Sequence, residues 1–158
     1  MDIATDPIEL HQQLRQAILN ALTRRDYAIL ELSHKLERKG FPPSAIASIL
    51  PDFIQNGLIN EHRFTENFIH WRRARGYGPL RIAKELQARG IEALMIADLL
   101  KIADNSWFTD AHRIWQKQFK HPLPENFQER AKQMRFLQYR GFTGEQIRRV
   151  FQDTDSFT

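Results

Sequence analysis

The 158-residue chain contains no cysteine, which removes disulfides, thiolate metal ligands and cysteine nucleophiles from consideration and fits a reducing cytosol. No apolar stretch approaches the roughly 18 residues that a membrane span needs. The first residues, Met1-Asp2-Ile3-Ala4-Thr5-Asp6-Pro7, are acidic and lack the apolar run of a secretion signal. A soluble, cytoplasmic protein that does not engage membranes is expected. No segment alternates apolar and polar residues for long enough to make a strand. There is no glycine-rich phosphate loop ending in Lys-Ser/Thr, no carboxylate pair at metal spacing and no locally supported Ser-His-Asp arrangement. Enzymatic chemistry, a resident metal and cofactors are therefore not expected. His62, Glu66 and His70 fall at four-residue steps and formally suit a metal. Histidine paired with glutamate across a helix turn explains the same spacing without one.

What the chain does contain is a phrase used three times: a leucine, two variable residues, a basic residue, a glycine and a large apolar residue. The copies are Leu36-Glu37-Arg38-Lys39-Gly40-Phe41, Leu86-Gln87-Ala88-Arg89-Gly90-Ile91 and Leu137-Gln138-Tyr139-Arg140-Gly141-Phe142, separated by 50 and then 51 residues. A helix that ends with glycine in the left-handed region satisfies its last carbonyls and gains an apolar contact across the cap. One such glycine means little, but three in register imply internal duplication. Each is followed by apolar pairs at matching offsets, Ile46/Ile49, Ile96/Leu99 and Ile147/Val150. Upstream, Leu14 and Ile18 correspond to Phe64 and Phe68, and these to Trp115 and Phe119; Tyr27 corresponds to Tyr77.

Apolar residues recur at three- and four-residue spacing almost throughout, which predicts an all-α protein. Helices are expected near residues 8–23, 28–39, 43–56, 60–75, 79–89, 92–103, 106–120, 125–140 and 143–152, three per copy. The implied organisation is three tandem three-helix repeats, residues 1–59, 60–105 and 106–158, with helix-turn-helix-like units in an elongated, curved array. Asn60, Ser106 and Thr143 are expected N-caps, Thr143 forming a capping box with Gln146. Pro79 suits a first helical position, and His121-Pro122-Leu123-Pro124 is expected to form the main break of the third repeat. Pro51, inside an apolar pattern, should kink or restart the third helix. Trp71 and Trp107 are expected to be packing anchors.

Net charge is +4, and it is unevenly spread: −1 over residues 1–59, +2 over 60–105, +5 over 106–152 and −2 in the tail. The most basic window is Trp71-Arg72-Arg73-Ala74-Arg75-Gly76-Tyr77-Gly78-Pro79-Leu80-Arg81-Ile82-Ala83-Lys84, with five cations and no acid. Arg72, Arg73 and Arg75 cannot all face a core. The following turn and helix N-terminus offer backbone N–H groups and partial positive charge suited to phosphate. These cations are either a binding surface or a solvated helix face. Tyr77 either stacks on a base or packs inward, and its match to Tyr27 favours packing. Arg24-Arg25 occupies the corresponding turn of the first copy, and Arg148-Arg149 lies on the last helix; together with Arg81 and Lys84 they complete the candidate surface. No predicted helix concentrates Arg, Asn and Gln at its first turn as a sequence-reading recognition helix does.

The sequence resembles the RecX regulatory proteins, bacterial modulators of the RecA recombinase, from about Ala17 to Phe151. The resemblance rests on Ala21-Leu22-Thr23-Arg24-Arg25-Asp26-Tyr27 leading to Glu31-Leu32 and Lys35-Leu36, on Gly57-Leu58-Ile59-Asn60-Glu61-His62-Arg63-Phe64, on Arg75-Gly76-Tyr77-Gly78-Pro79-Leu80-Arg81-Ile82 with Glu85-Leu86 and Gly90-Ile91, and on Phe136 to Ile147. It implies three tandem three-helix repeats that bind within the groove of the RecA–DNA filament and inhibit strand exchange and coupled ATP hydrolysis, in DNA repair and control of the SOS response. The implied partners are RecA, its nucleoprotein filament and single- and double-stranded DNA without sequence preference, engaged by a monomer that is not an enzyme. A non-specific DNA-binding protein without a recombinase partner is the alternative, and a small hydrolase using His62, Glu66 and His70 a third. Ala28 departs from the family, which commonly places a small hydroxyl residue there to cap the second helix.

Overall fold

The computed structural model describes residues 2–120, 124 and 126–155. Among these there are nine α-helices and no strand. They are α1 (Pro7–Arg24), α2 (Ile29–Arg38), α3 (Pro43–Gln55), α4 (Glu61–Ala74), α5 (Pro79–Ala88), α6 (Ala93–Leu100), α7 (Asn105–Phe119), α8 (Phe127–Arg140) and α9 (Gly144–Asp155). The expected break at 121–124 lies, except for Pro124, outside the described residues.

The repeated phrase does what its chemistry requires. Gly40, Gly90 and Gly141 take φ of +103°, +79° and +103°. In the first copy the Gly40 amide donates to the Glu37 carbonyl at 2.9 Å and the Phe41 amide to the Leu36 carbonyl at 3.2 Å. The third copy repeats this at 3.1 Å, Gly141 to Gln138, and at 3.2 Å, Phe142 to Leu137. In all three copies the apolar residues on both sides of the cap, Leu36 with Phe41, Leu86 with Ile91 and Leu137 with Phe142, are buried.

The chain divides into two compact units, one comprising residues up to 66 together with Ala88–Glu92, the other the remainder. In the first, α1, α2 and α3 pack pairwise around Leu14, Ile18, Leu32, Leu36, Ile46, Ile49 and Phe53. In the second, α7, α8 and α9 pack pairwise, burying Trp107, Trp115, Leu137, Phe142, Val150 and Phe151. There the Trp115 indole N–H donates to Gln133 Oε1 at 2.8 Å, so the buried amide and the buried ring satisfy each other.

Helix ends show where sequence expectations need correction. α3 runs unbroken from Pro43 to Gln55 with Pro51 inside it, so the proline costs one backbone hydrogen bond without ending the helix. α6 stops at Leu100 rather than 103, because Lys101 turns left-handed at φ +50° and the Trp107 indole N–H takes the Leu100 and Lys101 carbonyls at 2.9 and 3.1 Å. Asp104, not Ser106, caps α7, accepting from the Ser106 amide at 2.8 Å. Thr143 and Gln146 do form a capping box, at 2.9 and 3.1 Å, and Asn60 caps α4 through the Arg63 amide at 2.9 Å.

Ala28 has no side-chain acceptor, yet the first amides of α2 are satisfied. Glu31 accepts from the Ala28 amide and Glu61 from the Ile29 amide, both at 3.0 Å. Two carboxylates at a helix N-terminus also complement the dipole there.

Candidate nucleic-acid and partner interface

The basic window begins on the last turns of α4. Arg72 Nη2 donates to Glu85 Oε1 at 2.8 Å, and its guanidinium lies 3.8 Å from the centre of the Tyr77 ring; the Arg72 side chain is only 12% exposed. Arg81 approaches the same ring at 4.3 Å and the same carboxylate at 3.6 Å. Arg73 stacks on Trp107 at 3.8 Å and donates to Asp110 at 2.8 Å and Ser106 at 3.0 Å. Tyr77 is half-buried, with the guanidinium groups of Arg72, Arg81 and Arg140 over its ring.

The turn that follows is joined to α8 through its backbone. Gly76 caps α4 as the repeated glycines cap their helices, with the Tyr77 amide donating to the Arg72 carbonyl at 3.2 Å. The Gly78 amide then donates to the Arg140 carbonyl and the Leu80 amide to the Gly141 carbonyl, each at 2.8 Å. Two of the N–H groups at the start of α5 are thus spent on the carbonyl end of α8.

Arg75 and Lys84, by contrast, are exposed. Arg75 lies 4.8 Å from the Trp71 ring, and Trp71, expected to be a packing anchor, is 47% exposed. The expectation failed because helical spacing assigns Trp71 to the apolar stripe through Phe64 and Phe68, whereas only its edge-on contact with Phe68, at 5.9 Å between centroids, reaches that stripe. An exposed indole beside an arginine with no ion pair among the described residues suits stacking and phosphate contact together.

The outlying candidates split in the same way. Arg25 donates to Glu31 at 2.8 Å and lies over Tyr27 at 3.7 Å; Arg149 donates to Asn105 at 3.0 Å and lies over Phe108 at 4.3 Å. Arg24 and Arg148 are exposed. His62 Nδ1 and Glu66 Oε1 stand 2.6 Å apart, and among the described residues no three His, Asp or Glu side chains gather as a metal site. No helix of the described residues is long and apolar enough to cross a membrane.

Two family models match this chain: "RecX, second three-helix domain" over residues 60–100 and "RecX, third three-helix domain" over residues 108–151. The chain belongs to the RecX family. A regulatory protein RecX from Pseudomonas savastanoi pv. phaseolicola is 37% identical over 137 residues, 87% of this chain and 88% of its own length. One from Legionella pneumophila is 39% identical over 138 residues, 87% and 92%. The crystal structure of RecX from Lactobacillus salivarius superposes with a TM-score of 0.79 at 20% identity, covering 92% of this chain and 97% of its own, which carries the fold. Membership of the RecX family places the chain among regulatory proteins.

Proposed function

We propose that the protein binds the RecA recombinase and RecA filaments on DNA and inhibits strand exchange and the ATP hydrolysis coupled to it. It acts in the cytoplasm as a monomer and as a regulator, not an enzyme, needs no cofactor, and takes part in DNA repair and SOS control. Membership of the RecX family is the observation that carries this reading.

Among the candidate residues, contact with DNA phosphates or an acidic RecA surface falls to those not consumed by the fold: Arg75, Lys84, Arg24 and Arg148, with Trp71 beside Arg75. Arg72, Arg73, Arg81, Tyr77, Arg25 and Arg149 shape the surface that presents them. Contacts of this kind are electrostatic, so neutralising about five phosphates makes affinity fall by roughly 10²–10³ between about 50 and 200 mM salt.

The test is a RecA strand-exchange and ATPase assay titrated with the protein and with an Arg24→Gln/Arg75→Gln/Lys84→Gln/Arg148→Gln variant whose melting is unchanged. The wild type should inhibit both reactions and the variant should not. Binding to bare DNA at matched salt, without any effect on RecA, would instead favour the DNA-binding reading that the Trp71–Arg75 pair suggests.

A further inference from the structure

In the first unit, the turn before α2 and the C-terminal half of α2 enclose a cleft of about 460 Å³, lined by Arg25, Tyr27, Glu31, Lys35, Arg38 and Lys39. Four of these side chains are cationic and one is acidic. The acid is already engaged: Glu31 accepts from Arg25 at 2.8 Å and from the Ala28 amide at 3.0 Å, and Arg89 stands 3.8 Å from its second oxygen. Lys35 donates to the Tyr27 phenol oxygen at 3.0 Å, and no carboxylate lies within ion-pair distance of Lys35, Arg38 or Lys39 among the described residues. Their three- and four-residue spacing puts them on one helix face, where like charges repel.

Capping of α2 does not explain the cluster. The helix C-terminus favours a cation, but the cap is made by the Gly40 and Phe41 amides. The other copies close with the same glycine cap while placing Glu85 and Phe136 where Lys35 stands and Ala88 and Tyr139 where Arg38 stands. In the second copy the corresponding space is neutralised from within by the Arg72–Glu85 pair. In the first copy the internal pair is Arg25 with Glu31, one turn or more away from Lys35, Arg38 and Lys39.

We propose that this cleft binds a phosphate group, carried on a nucleic-acid backbone or on a free nucleotide. A tetrahedral group with several oxygens accepts from Lys35, Arg38, Lys39 and the Tyr27 hydroxyl at once. The cleft is of the size usual for small-molecule sites, about 300–1,000 Å³. Arg25, 3.7 Å over the Tyr27 ring, and the ammonium of Lys35, which holds the Tyr27 phenol below its ordinary pKa against the opposing effect of burial, leave the cleft preorganised for an anion. The inference does not depend on a recombinase partner.

The experiment follows a fluorescent single-stranded thymidine oligonucleotide by anisotropy, with inorganic pyrophosphate, AMP and a poly-glutamate peptide as competitors. Lys35→Gln/Arg38→Gln/Lys39→Gln is compared with Lys117→Gln/Lys132→Gln/Arg135→Gln, which removes the same charge from exposed positions on α7 and α8. Should the first variant melt early, Arg38→Gln/Lys39→Gln, at two exposed positions, replaces it. The cleft variant should bind about tenfold more weakly and show a shallower salt dependence, with the matched variant changed by less than about threefold. Pyrophosphate should displace the oligonucleotide. AMP binding as tightly as the oligonucleotide assigns the phosphate to a free nucleotide, and much weaker AMP binding assigns it to the backbone. Equal losses in the two variants, no loss in either, or displacement by poly-glutamate as effective as by pyrophosphate would overturn the proposal.

Discussion

The Gly78 amide donates to the Arg140 carbonyl oxygen at 2.8 Å, so the start of α5 and the end of α8 cap each other through their backbones. No side chain fits between them. A Cβ on Gly78 would stand 2.4 Å from the Gly141 carbonyl carbon and 2.5 Å from the Phe142 nitrogen, all backbone.

Gly78→Ala should therefore force the two helix ends apart and destabilise the protein by about 2–4 kcal/mol, read as a lowered thermal midpoint. Gly144→Ala is the matched control. A Cβ there meets nothing within 4 Å, and alanine at a helix start should be neutral or stabilising by up to about 1 kcal/mol.

Arg72 and Arg75, three residues apart, should behave oppositely. Arg72→Ala removes a part-buried guanidinium that pairs with Glu85 and covers Tyr77, and should cost about 1–3 kcal/mol in denaturant titration. Arg75→Ala should leave stability within about 0.5 kcal/mol and weaken inhibition of RecA strand exchange. A variant lacking Arg72, Arg73 and Arg75 together would confound the two effects.

Gln133→Leu should strand the Trp115 indole N–H, which has Gln133 Oε1 as its partner at 2.8 Å, and cost about 1–3 kcal/mol by chemical denaturation. Trp115→Phe combined with Gln133→Leu should be less damaging than the sum of the two single changes, because the pair then leaves no polar group unpaired.

Asp104, the α7 cap, is held below the ordinary carboxylate range by hydrogen bonds from the Ser106 side chain and amide. A carboxyl with a depressed folded value stabilises the protein above its unfolded pKa and loses that contribution as pH falls through the folded value. The thermal midpoint of the wild type should thus drop more steeply than that of Asp104→Asn between about pH 5 and pH 2.

Ala28→Ser supplies the hydroxyl that the first turn of α2 lacks. Ala28 already has extended backbone angles, φ −68° and ψ 148°, as an N-cap requires, so the change should raise stability by about 0.5–1 kcal/mol in thermal melting.

The architecture was legible because periodicity and capping are local: the nine helices fall within a few residues of their expected positions, and Thr143 with Gln146 caps as its spacing promised. The site was legible only as composition. Five cations in fourteen residues mark the window 71–84, but nothing local tells which of them meet Glu85 on the next helix, or Asp110 and Trp107 some 35 residues on. The same distance hid the Arg140 and Gly141 carbonyls from the α5 amides. Trp71 was misread for the converse reason, since its spacing matches the buried stripe while the neighbours that would cover it are absent.

The two tyrosines at matching positions, Tyr27 and Tyr77, carry one further consequence. Around Tyr27 the α2 positions 31 and 35 are Glu and Lys, whereas the corresponding α5 positions around Tyr77, 81 and 85, are Arg and Glu. Arg25 finds Glu31, and Arg72 finds Glu85. A folding chain that seated α5 in the place of α2 would set Arg81 against Arg25, and the converse exchange would set Lys35 against Arg72. Duplicated units risk assembling with each other's parts; here the reversed charges set like charges against each other in either exchange and so favour the native pairing.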